Sequence, residues 1–178
     1  MKLEEFLKTI VKKRMYPEIE GGIANGFPVM TTIALFAYSE MIGGLWRIVN
    51  GETEEVVFGP GQSNKNFASF LSAAGKDYTK LNSKNTYRII RGGLIHRYFI
   101  RIRSTIEMDT SDPKAIKDYG LNCAVKFHGD EYVYFNVNQY FKDMKKTVDK
   151  ILKTAKKRNR LEVEIATHID ETQYLILS

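Results

Sequence analysis

The segment from Pro28 to Val49 places the strongest constraint on the fold. Its apolar residues, among them Leu35, Phe36, Tyr38, Met41, Ile42, Leu45, Trp46 and Ile48, fall on every side of a helical wheel rather than along one stripe. A helix apolar all round has to be enclosed by other elements, so this one is expected at the centre of a helical bundle. Ser39, Glu40, Gly43, Gly44 and Arg47 interrupt the apolar run. A charge at the middle of a spanning helix costs roughly 2.5–3.5 kcal/mol on insertion scales, so a core helix is expected here and no membrane span. Gly43-Gly44 should bend the helix, end it, or admit another helix at close range. Glu40, set in this helix, needs a partner, and an arginine from a later helix is the expected one.

The rest of the chain supplies elements to surround it. Leu3, Phe6, Leu7, Ile10 and Val11 have helical spacing, with Glu4 and Glu5 early and Lys12, Lys13 and Arg14 late, which suits the helix dipole. Pro17 and Gly21-Gly22 are expected to loosen the chain after that first helix. Asn50-Gly51 and Gly59-Pro60-Gly61 bracket a polar connection. A third helix is expected over about Asn64 to Lys80, and a fourth from about Ser83, with Tyr87, Ile90, Leu94 and Tyr98 along one face. The pattern then changes. Residues 99–108 alternate in part, as a half-buried strand does, and Leu121–Phe127 and Glu131–Val137 read as a hairpin turned by His128-Gly129-Asp130. Asn138 is expected to cap a last long helix whose stripe is Tyr140, Phe141, Met144, Val148, Ile151, Leu152 and Ala155. Residues 161–165 alternate again, and Tyr174–Leu177 suits a short final strand. The fold class is therefore mainly α: a helical bundle over about residues 1–98, with an added small antiparallel hairpin or sheet and a C-terminal helix over about 99–178. No repeat or low-complexity linker divides these parts, so a single domain over 1–178 is expected.

The composition narrows the setting. A hydrophobic share of 43% in 178 residues is enough for a sizeable core. Cys123 is the sole cysteine, which rules out an intramolecular disulfide and favours a cytoplasmic location. The start, MKLEEFLKTIVKK, puts charges where a secretory signal has an apolar run. No cofactor or metal is expected, since Cys123, His128 and His168 lack clustered ligand spacing. Gly59-Pro-Gly-Gln-Ser-Asn64 lacks the Gly-Lys-Ser/Thr ending of a phosphate loop and reads as a turn.

Two features carry chemistry. The first is charge. The chain has a net charge of +6. Between Lys142 and Arg160, nine Lys or Arg residues stand against Asp143 and Asp149, so this stretch holds all of the excess. Such a stripe attracts phosphate and speeds association; the plainer reading is a solvated face that keeps the protein soluble. Lys145, Lys146 and Lys153 are its candidate RNA contacts. Tyr132, Tyr134 and Phe135 are further candidates, as stacking platforms for bases, although alternation in a strand also suits core on one face and surface on the other.

The second is Arg91-Gly-Gly-Leu-Ile-His96, flanked by Arg88, Arg97 and Arg101. Neutral imidazole can take a proton from a 2′-hydroxyl while guanidinium stabilises the phosphorane charge. On an ideal helix Arg91 and His96 lie ~140° apart, so they converge only if the arginine wraps back, the glycines bend the helix, or a second copy completes the site. Arg88, Gly92 and His96 share a face more naturally. The structural alternative is a surface or interface histidine bonded to a tyrosine or to the backbone.

An Arg, four residues, then His, late in a helical bundle, resembles the signature of the HEPN superfamily. Ala34–Leu45 together with Arg91–His96 also resembles a group of uncharacterised bacterial proteins of that layout. The likeness covers roughly residues 28–100. It implies a HEPN-like, metal-independent endoribonuclease built as a homodimer. Arg91 would hold the phosphate and His96 would transfer the proton; Arg88 and Arg97, from the arginines around His96, are candidate RNA contacts beside them. Active members often carry Asn, Asp or His after the arginine, where this chain has Gly92. Many HEPN-like domains are non-catalytic interaction or dimerisation modules, which is the alternative function, with a protein partner in place of RNA.

Overall fold

The first 24 residues form an almost unbroken helix, because its buried positions recur at an unusual interval. Leu3, Leu7, Val11, Met15 and Ile19 are all buried, one every fourth residue. In an α-helix each such step overshoots a full turn by about 40°, so the stripe would drift away from the core. The computed structural model, which describes residues 1–81, 86–88, 103–108, 124–128 and 132–165, shows how the drift is contained. Helix α1 (Leu3–Phe6) passes into a π-helical stretch over Leu7–Met15 and returns to α geometry as α2 (Tyr16–Ala24). The wider π turn takes more residues per revolution and keeps the fourth-residue stripe facing inward. Tyr16 N–H bonds the Val11 carbonyl, five residues back, and Pro17 falls in the first turn of α2, where a missing amide donor costs little. The helix therefore runs through the position at which a loosened chain was expected. Gly22 also lies within it, where a Cβ would come within 2.4 Å of Thr31 Oγ1.

Helix α3 (Pro28–Val49) occupies the centre as expected, with Leu35, Phe36, Ile42, Leu45, Ile48 and Val49 buried. Gly43 serves close approach. A Cβ there would stand 1.9 Å from the Asn66 carbonyl oxygen and 2.8 Å from Phe70 N, so helix α5 (Ser63–Ala74) crosses α3 backbone to backbone at this point. The connection between them is less polar than its sequence suggests. It contains the short helix α4 (Glu54–Val57), and Val57 is fully buried. The expected third helix is split in two: Gly75, at φ 144°, ends α5, and a single turn, α6 (Lys76–Thr79), follows. Residues 86–88 are all that is described of the expected fourth helix.

Strands β1 (Arg103–Glu107), β2 (Val125–His128) and β3 (Tyr132–Asn136) form a sheet in the order β1-β3-β2. β2 and β3 make the expected antiparallel hairpin, with Val125 opposite Phe135 and His128 opposite Tyr132. β1 runs parallel to β3, Arg103 opposite Tyr132, so the sheet is mixed rather than purely antiparallel. Residues 161–165 pair only briefly, back along the N-terminus: Leu3 N–H bonds Val163 O, and Ile165 N–H bonds Met1 O.

Helix α7 (Val137–Lys157) follows β3 directly. Its cap is Asn136, whose side chain accepts from Gln139 N–H at 2.8 Å, two residues before the expected Asn138. β3 hands its last residue straight to the helix, so Asn138 already lies in the first turn. α7 seals the core. Phe36 stacks on Phe67 and Tyr140 with ring centroids 5.1 and 5.7 Å apart, and Phe135 joins them at 5.5 Å from Phe36. The Tyr140 hydroxyl is bonded to Ser39 Oγ at 2.8 Å, which satisfies both buried groups. Among the described residues α3 is the one helix long and apolar enough to cross a membrane, and half of its apolar window is buried inside the protein.

Candidate nucleic-acid interface

Helix α7 presents two chemically opposite sides. Val137, Tyr140, Phe141, Met144, Val148, Ile151 and Ala155 are buried against the bundle. The lysines take the remaining surface. Those nearest the flanks are drawn into the fold. Lys145 Nζ lies 4.3 Å from the centre of the Phe141 ring and 3.5 Å from Glu20 Oε1. Lys150 Nζ donates to the Ala73 carbonyl at 2.8 Å and sits 5.3 Å from the Trp46 ring centre. These two cations tie α7 to α2 on one side and to α3 and α5 on the other. Asp149 on the outer surface takes Lys12, at 2.7 Å.

Directly opposite the core, Lys142, Lys146, Lys153 and Lys157 fall within about 60° of arc at ~100° per residue, along about 22 Å of helix. All four are exposed. Lys146, itself well exposed, is paired at 3.0 Å with Asp143, a largely buried carboxylate that also accepts from Tyr78 and Gln139. Among the described residues Lys142, Lys153 and Lys157 make no ion pair. Lys146, Lys153 and Lys157 also line a surface depression of about 470 Å³ with Asp149, Lys150 and Thr154. The structure thus refines the set of candidate lysines. Lys146 and Lys153 stand in the outer row, Lys145 belongs to the packing against α2, and Lys142 and Lys157 join the row. Their spacing of four, seven and four residues was visible in the sequence and would have found them.

The aromatic candidates fare differently. Tyr134 and Phe135 are both buried, 1% and 0% exposed, because β3 is the central strand and is covered on both faces. Neither can offer a ring to a base. Arg88 is exposed, beside Tyr87, whose hydroxyl donates to Glu40 Oε2 at 2.7 Å and whose ring lies 5.4 Å from Phe67. Among the described residues the carboxylate of the central helix is met by this tyrosine. Arg91, His96 and Arg97 lie outside the described residues, as do Cys123 and His168. Among the described residues no three His, Cys, Asp or Glu side chains gather where a metal ion would sit.

A second polar cluster, unforeseen from the sequence, lies at the end of α3. Arg47, 3% exposed, donates through Nε to Glu52 Oε1 at 2.9 Å, and its terminal nitrogens reach Glu52 Oε2 at 2.5 Å, Gln62 at 3.1 Å and Asn66 at 2.5 Å. Asn66 in turn donates to the Val57 carbonyl at 3.0 Å. The hydrogen bonds from Arg47, helped by its charge and that of Lys65, hold the Glu52 carboxyl well below the usual range, at about 2. Every partner among the described residues lies in the 52–66 segment, so the cluster clamps the connection between α3 and α5.

Fold and surface together define a mainly α protein: a helical bundle that carries a three-stranded mixed sheet and turns one lysine-lined helix face to solvent. Comparison with protein-family models, with curated proteins and with solved structures gave no match in any of the three.

Proposed function

We propose that this is an RNA-binding protein of HEPN-like type, which grips the phosphate backbone through the outer face of α7. The observation that carries the reading is the row of Lys142, Lys146, Lys153 and Lys157, held straight by a helix whose opposite side is locked in the core. Cations fixed along a rod neutralise several phosphates at once and release their counterions, which is the main source of sequence-independent affinity for nucleic acid. In the same reading Arg91 and His96 act as a metal-independent cleaving pair. Arg91 binds the phosphate and His96 takes the 2′-hydroxyl proton, with two copies of the chain bringing two pairs together. That part rests on the resemblance of the motif.

Two measurements test it. Four phosphate contacts give a slope of about −3 to −4 in log affinity against log salt, so RNA affinity should fall by about two orders of magnitude between 50 and 200 mM salt. Affinity insensitive to salt would remove α7 from the account. For the catalytic part, the purified chain should degrade mixed RNA in EDTA, and His96→Ala should abolish that with the fold intact. Cleavage that survives the substitution would exclude His96.

One observation favours the non-catalytic alternative. Phe27 and Met30, at the start of α3, are 57% and 60% exposed, the kind of apolar surface that a protein partner covers. If that reading holds, replacing both with serine should change the oligomeric state or partner binding while leaving RNA affinity intact.

A further inference from the structure

We propose that the α7 face recognises base-paired RNA, the stem of a folded molecule, in preference to an unpaired strand. The inference rests on the RNA-binding reading above and specifies its substrate class.

Three observations carry it. The first concerns stacking. Proteins that hold single strands combine a positive groove with aromatic rings on which successive bases lie, and the rings supply much of the affinity. Among the described residues the α7 face has lysines without rings. The aromatics of the helix, Tyr140 and Phe141, are 1% and 3% exposed, and Tyr134 and Phe135, two aromatics of the sheet, are buried as well. Trp46, the nearest indole, lies beneath the Lys150 ammonium. The large apolar side chains exposed among the described residues are Phe27, Met30, Val56 and Phe58, none of them on α7.

The second is rigidity. Buried side chains from Val137 to Ala155 fasten α7 along nearly its whole length, so the four lysine stems rise from fixed points about 6, 10 and 6 Å apart. A duplex offers two fixed rows of phosphates to such an array, whereas a flexible strand has to be ordered on it at an entropic cost. The denser charge of a duplex also releases more counterion per contact, about 0.9 against 0.7 for a single strand.

The third separates nucleic acid from a lipid surface. A helix that lies on a bilayer puts its apolar stripe into the lipid, and the stripe of α7 is committed to the core against Phe36 and Phe70. What remains outside is charge alone, which suits a polyanion met edge on.

The test uses the full chain and an RNA hairpin stem of about 20 base pairs, compared with each of its strands by fluorescence anisotropy, with the RNA checked for integrity afterwards. The duplex should bind about fivefold tighter or more at matched salt, and two duplexes of unrelated sequence should bind equally. The salt slope should be near −3.6 for the duplex against about −2.8 for a strand, and Lys153→Gln with Lys157→Gln should reduce the duplex slope by about 1.8. A strand bound as tightly as the duplex overturns this inference and leaves the RNA-binding reading standing. Failure of both RNAs to bind overturns both. Tighter binding to phosphatidylserine vesicles than to the duplex overturns this inference in favour of a membrane surface.

Discussion

Arg47 shows how much one buried side chain can organise. Its guanidinium joins Glu52, Gln62 and Asn66, and Asn66 passes the bond on to the Val57 backbone. Arg47→Ala would leave those acceptors without their donor in a closed space. Urea unfolding should show a loss of about 2–4 kcal/mol. The same pair gives a signed pH dependence. The Glu52 carboxyl titrates at about 2 in the folded chain, below its ordinary 4.5, so the stability it contributes is complete above about pH 4.5 and is lost as pH falls toward 2. The melting temperature of the wild type should exceed that of Glu52→Gln by a constant margin near neutrality, and the margin should close over that acid range. A margin unchanged at pH 2 would mean that the carboxylate contributes nothing. The sequence marked Arg47 only as an interruption of an apolar run. Its partners lie 5 to 19 residues further on, brought back by the turn of the chain, and no local pattern announces such a meeting.

Among the elements, α7 illustrates how a cap decides where a helix begins. Asn136 leaves β3 and bonds Gln139 N–H, while Asn138 stands inside the first turn. Asn136→Ala should cost about 1 kcal/mol in thermal or chemical unfolding, and Asn138→Ala should stay within about 0.5 kcal/mol. The reverse order would move the cap to Asn138. Long elements with strong periodicity were legible: α3 by being apolar on all sides, α7 by its stripe, the hairpin by alternation around Gly129. Three features were not. The π stretch over Leu7–Met15 answers the spacing of its buried side chains, a demand set by the core rather than by local preference. The parallel pairing of β1 with β3 depends on which strand reaches the sheet edge. The closeness of α3 and α5 at Gly43 was one of three outcomes its glycines allowed. Of the candidate site, the lysine-rich face was readable as charge. Which lysines face outward depended on Lys145 and Lys150 finding Phe141 and Ala73, and that follows only from packing.

At the scale of the molecule, the bundle turns a helix into an instrument by burying one side of it. Free in solution, the α7 sequence would be an amphipathic peptide. Locked over Phe36 and Phe70, it becomes a straight, charged edge on a protein whose remaining charge is close to neutral. This asymmetry is the basis for proposing RNA as the ligand, with Arg91 and His96 as the chemistry the motif would add.

The most direct test replaces Lys142, Lys146, Lys153 and Lys157 together with glutamine and titrates RNA at several salt concentrations, with circular dichroism to confirm the helical content. All four side chains are exposed, so the fold should be retained, affinity at low salt should fall by two orders of magnitude or more, and the salt slope should flatten toward zero. An unchanged affinity and slope in a folded quadruple variant would contradict the account.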